Sequence, residues 1–148
     1  MCRSHWTTPA PRPYNAHMSI IGHGVDLVET ARITQLCQRH GDRFLNRVFT
    51  DAERAYAQSS KRCDEHLAAR FAAKEAVLKA LGTGWRTGIA WRDVEVGRQT
   101  SGRPFVKLTG GALDVADTLG VAEVQVSLTH TDSHAMASAI AIAASPGL

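Results

Sequence analysis

Cysteine is scarce in this chain. Cys2, Cys37 and Cys63 are the only three among 148 residues, widely spaced and without a CxxC pair. That excludes a disulfide framework and a cysteine-based zinc site, and reduced thiols in a cytoplasmic setting are the simplest reading. Long apolar runs are missing as well: nothing approaches the roughly 18 residues needed to cross a bilayer. The opening segment MCRSHWTTPAPRPYNAH has no apolar stretch of the kind a secretory signal requires. Aromatic residues are few, at 6%, and the basic residues are scattered. A basic nucleic-acid-binding module is therefore a weak reading, although the net charge of +3 suits an acidic or phosphorylated partner. There is no internal repeat.

What is present fits one ordinary globular domain, at 44% hydrophobic and 21% charged residues. Residues 1–17, with three prolines among mixed polar residues, are expected to form a flexible N-terminal extension. The domain proper is expected over 18–148. Ser19–Val25 reads as an apolar strand that Asp26 ends. A helix follows over Thr30–His40, stopped by Gly41. Phe44, Val48 and Phe49 anchor a short helical turn. Thr50-Asp51-Ala52-Glu53 has the form of a capping box, which starts a helix reaching Gln58. The longest helix is expected from Cys63 to Leu81, ended by Gly82. Later come strands over Arg92–Val96 and Phe105–Leu108, a helix over Gly111–Leu119, and strands over Val121–Thr129 and His134–Ala143. The mixture predicts an α+β fold with a small, mainly antiparallel sheet packed on a long helix.

Three places could hold chemistry. On the long helix, Leu67, Phe71, Leu78 and Leu81 make an apolar stripe at about 100° per residue. Lys74 falls within that stripe and Glu75 at its edge, with Lys79 one turn further along the same flank. A charge facing a core is costly unless it is paired or bound. Glu75 and Lys79 are equally readable as an i,i+4 pair on a solvated face, and Lys74 could snorkel. Asp26 directly follows an apolar strand, where a carboxylate can meet a ligand, yet turn aspartates are common there too. Gly22-x-Gly24 lacks the third glycine of a dinucleotide loop, since Leu27 stands in its place. Finally, His130, Asp132 and His134 would share one face of an extended strand. Thr131-Asp132-Ser133 reads as a turn, which breaks that arrangement and leaves His130 as a single contact residue.

Four segments in order resemble one family. They are GHGVDLVETARI (Gly22–Ile33), RFLNRVFTDAE (Arg43–Glu53), RFAAKEAVLKALGTG (Arg70–Gly84) and VSLTHTDSHAMASAIA (Val126–Ala141). Together they resemble holo-[acyl-carrier-protein] synthase, the small 4′-phosphopantetheinyl transferase. The resemblance runs from Ile20 to about Ile142. It implies transfer of 4′-phosphopantetheine from coenzyme A to a serine of apo acyl carrier protein, by a homotrimer with active sites between subunits. It further implies that Asp26 and Glu75 bind Mg²⁺, an ion suited to oxygen ligands. Glu75 and Lys79 are then the catalytic pair, Glu75 taking the serine proton and Lys79 holding phosphate oxygens. Arg47, Arg70, Lys74, Lys79, Arg103, Pro104 and His130 are implied to contact coenzyme A. Arg32, Leu36, Arg39 and Arg43 match the positions that dock the acidic carrier protein. The chain departs from the family at His23, where a small or apolar residue is usual, and in SLTH for the commoner SLSH. A degenerate transferase kept as a carrier-protein-binding module is the other reading, opposed by the presence of Asp26, Glu75 and Lys79.

Overall fold

The computed structural model describes residues 19–86 and 88–143; the expected N-terminal extension, 1–17, lies outside them. The chain opens with β1 (Ile20–Glu29) and passes without a loop into α1 (Thr30–His40). Then come α2 (Asp42–Val48), α3 (Asp51–Gln58) and the long α4 (Cys63–Ala80). A 3-10 turn, Trp91–Asp93, leads to β2 (Val94–Arg98), β3 (Pro104–Leu108), α5 (Gly110–Leu119), β4 (Val121–His130) and β5 (His134–Ala143). The strands form an antiparallel sheet ordered β1-β5-β4 and a separate β2–β3 hairpin. The α+β, mainly antiparallel reading of the sequence therefore holds.

Small residues set the distance between sheet and helix. The inward positions of β5, Ala135, Ala137, Ala139 and Ala141, are all buried. On β1 the inward positions begin with Gly22 and Gly24. A Cβ on Gly22 would lie 1.9 Å from the Ala80 carbonyl oxygen, and one on Gly24 2.0 Å from that of Ala76. The two glycines are thus packing glycines that let strand and helix backbones touch, rather than parts of a phosphate loop. From α4, Ala69, Ala72, Ala73, Ala76 and Ala80 add to the same tight core.

Two expectations change in extent. β1 does not stop at Asp26 but continues to Glu29, because Leu27 and Val28 sustain the out-and-in alternation while pairing with Met136 and Ala135. The strand expected over Arg92–Val96 begins only at Val94. Before it, Asp93 accepts the N–H groups of Ala90 at 3.0 Å and Gly111 at 3.1 Å and holds a turn. The Thr50 cap is as expected: its side chain accepts the Glu53 N–H, and the Glu53 carboxylate accepts the Thr50 N–H. A third difference concerns α4, which is not a striped surface helix. It is buried around most of its circumference, with the sheet on one side and α1, α3 and β2 on the others.

Candidate active site

Alternation along β1 puts Asp26 on the same inward face as Gly22 and Gly24. Lys79 meets it there. The Lys79 Nζ donates to Asp26 Oδ1 and to the Val25 carbonyl oxygen, each at 2.9 Å. Lys79 lies one helical turn past Glu75, so the strand carboxylate Asp26 meets the flank of α4 that also carries Glu75. Glu75 is half-buried. Its Oε1 accepts a hydrogen bond from the Trp85 indole Nε1–H at 2.9 Å. His23, the unusual neighbour, points to the opposite face of β1, where its Nε2 lies 3.0 Å from Ser138 Oγ. It is not part of this cluster.

Lys74 must be reassigned. It is fully buried, and its Nζ lies 2.9 Å from Glu53 Oε2. It also donates to the carbonyl oxygens of Trp91, at 3.1 Å, and Val94. An ammonium has three N–H donors, and all three are engaged inside the protein, so none is left for a coenzyme A phosphate. Glu53, also buried, in turn accepts the Val96 N–H at 2.8 Å. The pair ties α3, α4 and β2 together. Burial pushes the Lys74 amine below the usual lysine range, and the adjacent Glu53 charge opposes that shift.

The remaining basic residues fall into separate places. Arg70, Pro104 and His130 line one cavity of about 250 Å³ with His66 and Arg98. The Arg70 guanidinium is buried over the Tyr56 ring at 4.0 Å, and its Nε has no hydrogen-bond partner among the described residues. Burial lowers its pKa, partly opposed by Glu53. His130 Nδ1 is 3.1 Å from Glu65 Oε2 without the alignment of a hydrogen bond, so both buried atoms are without a hydrogen-bond partner among the described residues. The His66 pKa is lowered, first by burial and then by the charges of Arg70, His130 and Arg98. Arg103 is exposed and lines a second cavity, of about 390 Å³, with Pro104 and Glu123, reaching within 3.9 Å of Glu123. Arg47 lies elsewhere, in a groove of about 430 Å³ with Trp85, Arg86 and Trp91. On the outer helices Arg32, Arg39 and Arg43 are exposed, while Leu36 is half-buried against the core.

Residue-by-residue reading missed His66, Arg98 and Trp85. The signal for the first was available: His66 stands one turn before Arg70 on α4. The position of Trp85 follows only from the fold of the turn after the helix. Among the described residues no group of three or more His, Cys, Asp or Glu side chains could hold a metal ion. The His130/Asp132/His134 arrangement is accordingly broken by the bend between β4 and β5. A pair of carboxylates is still a donor set that fits Mg²⁺, which binds through one or two carboxylates and completes its octahedron with phosphate oxygens and water. No helix among the described residues is long and apolar enough to cross a membrane.

Comparison with known proteins bears on the family of the chain. The family model described as the 4′-phosphopantetheinyl transferase superfamily matches residues 22–139. The holo-[acyl-carrier-protein] synthase of Koribacter versatilis is 51% identical over 121 residues, covering 82% of this chain and 97% of the relative. That of Nitrobacter hamburgensis is 50% identical over 137 residues, covering 86% and 98%. A solved holo-(acyl-carrier-protein) synthase from Bacillus anthracis, in complex with CoA (3′,5′-ADP), is similar with a TM-score of 0.71. It is 32% identical, over 86% of this chain and 99% of that one. This chain is a member of the 4′-phosphopantetheinyl transferase superfamily and, within it, belongs with the holo-[acyl-carrier-protein] synthases.

Proposed function

We propose that Asp26, Glu75 and Lys79 carry the family's reaction in this chain. The hydroxyl oxygen of a carrier-protein serine attacks the phosphorus of coenzyme A that bears the pantetheine arm. The bond from that phosphorus to the bridging pyrophosphate oxygen breaks, and adenosine 3′,5′-bisphosphate leaves. The observation that carries this reading is the meeting of Asp26 with Lys79 one turn from Glu75, at the point where Gly22 and Gly24 bring β1 onto α4. Bound at Asp26 and Glu75, Mg²⁺ supplies charge neutralisation at the pyrophosphate. Glu75 accepts the serine proton, directly or through one water. Lys79 is free to exchange its Asp26 contact for a phosphate oxygen, because about half of its side chain is exposed.

The nucleotide end is proposed to occupy the cavity of Arg70, His130 and Pro104, bordered by Arg103. Four basic side chains line it, His66, Arg70, Arg98 and His130, and such a partly desolvated space suits a phosphate group. Arg47 is proposed to touch the nucleotide from its own groove. Within one chain His130 sits beside Glu65, ten residues before Glu75 on α4, which is roughly 15 Å by helical rise. That separation supports a site shared between subunits, with His130 facing the Asp26–Glu75 pair of a neighbour in a homotrimer. The outer sheet face supports it too: Val25, Leu27 and Met136 are exposed, and Leu27 pairs with Met136. Arg32, Arg39 and Arg43 are proposed to dock the acidic carrier protein. The cytoplasm is the proposed setting, in keeping with the free thiols of Cys37 and Cys63.

The test is transfer itself. Apo carrier protein incubated with the enzyme, coenzyme A and Mg²⁺ should gain the mass of one phosphopantetheine. Glu75→Gln should abolish that gain, and near-normal transfer by this variant would remove Glu75 from the mechanism. Transfer failing for the unaltered chain under every divalent metal would favour a carrier-binding module.

A further inference from the structure

We propose that Trp85 is the positioning residue of Glu75, holding one carboxylate oxygen so that the other faces the reaction. The inference rests on the reading of Glu75 given above and adds a residue outside it. If α4 continued past Ala80, residues 75 and 85 would be about 15 Å apart. The chain reverses instead. The Thr83 N–H bonds back to the Leu78 carbonyl oxygen at 3.1 Å, and Gly82 and Gly84 take positive φ of 71° and 54°. The reversal lays the Trp85 indole along the helix it has just left and brings Nε1 to 2.9 Å from Glu75 Oε1. The ring is fixed from behind: it lies on Trp91, which stacks on Phe71 with centroids 4.8 Å apart. Its other surroundings include the Arg47 and Arg86 groove.

The chemistry of the donor matters. The two proposed metal-binding carboxylates are held by different kinds of group. Asp26 is paired with an ammonium, Glu75 with a neutral N–H. An indole N–H is a donor only, so it orients Glu75 without adding a positive charge that would repel a divalent ion. It engages Oε1 and leaves Oε2 for a metal, a water or the serine proton. A carboxylate on a flexible two-carbon stem loses rotamer freedom when held in one geometry, and Trp85 imposes that order before substrate arrives.

Trp85→Phe separates the N–H from the ring, since phenylalanine keeps an aromatic face for Trp91. In steady-state transfer at saturating Mg²⁺, this variant should lose at least about tenfold in kcat, with the KM values for coenzyme A and carrier protein within about twofold. A second readout needs neither metal nor turnover. In ¹⁵N-labelled, metal-free protein the indole resonance absent from Trp85→Phe belongs to Trp85. In Glu75→Ala it should move upfield and exchange faster with water. An unmoved resonance, or kcat within twofold of the parent in Trp85→Phe, overturns the proposal. If Glu75→Gln retains activity, the reading of Glu75 fails and the proposal with it. If Glu75→Gln is inactive while Trp85→Phe turns over normally, the positioning role alone fails.

Discussion

Two lysine–carboxylate pairs hang on α4, five residues apart, each with a separation of 2.9 Å. By distance they are the same interaction. Lys74–Glu53 is sealed, with both side chains essentially without solvent contact, whereas Lys79 is 48% and Asp26 17% exposed. A sealed pair with every donor engaged has nothing to offer a ligand, and breaking it strands a charge. An open pair contributes little to stability, and its members can exchange each other for a substrate oxygen. Surroundings, not contact length, divide the framework pair from the pair proposed for chemistry on this helix.

The contrast can be broken from the framework side. Lys74→Ala leaves Glu53 buried without its cation, and should cost about 3–5 kcal/mol in urea unfolding. Lys74→Met, which keeps the bulk, should be similarly harmful unless Glu53→Gln accompanies it. If Lys74→Ala instead folded normally and only weakened coenzyme A binding, the reassignment of Lys74 would be wrong. From the open side, Lys79→Met should change stability by less than about 1 kcal/mol. Its kcat should fall at least about tenfold, or roughly 1.4 kcal/mol in barrier.

A smaller effect is expected at the other end of the helix. The depressed pKa of His66 means that the folded chain binds fewer protons there than the unfolded one. The stability it secures is therefore fully present above the ordinary histidine pKa of about 6.5, and is lost as pH falls through the lower folded value. Thermal midpoints should decline over that window, less steeply in His66→Gln. An anion in the cavity favours the protonated ring, so adenosine 3′,5′-bisphosphate should flatten the decline. The most selective effect belongs to the outer helices. Reversing charge at Arg32 and Arg39 should raise KM for carrier protein severalfold through slower encounter, leaving that for coenzyme A unchanged. Equal effects on both substrates would count against docking there.

Local rules made much of this legible. The Gly41 stop, the Thr50–Glu53 capping box and the strand over His134–Ala143 are short-range readings, and the structure follows them. Asp26, Glu75 and Lys79 are proposed as a set on motif order, which supplies what spacing could not; of the three, the structure brings Lys79 onto Asp26. The failures are long-range. Lys74 looked available because its partner Glu53 lies in another helix and its other acceptors are backbone oxygens of a later segment. Gly22-x-Gly24 could be set aside as a dinucleotide loop, but its packing role stayed hidden because the helix that crowds it comes more than fifty residues later. Trp85 gave no periodic signal, being set by a turn.

The direct passage from β1 to α1 has a mechanical meaning. Strand and helix form one jointed rod with no slack at Glu29, and the junction is pinned where the Thr30 N–H bonds the Ser133 carbonyl oxygen at 2.9 Å. Asp26 and Arg32 stand on either side of that joint. If carrier protein seats on α1, the span from its recognition surface to the reacting phosphorus is set like a ruler. Acceptors would then be sorted by how far their serine lies from their acidic face, and a single residue inserted at the joint would change which carriers are modified before it changed how fast.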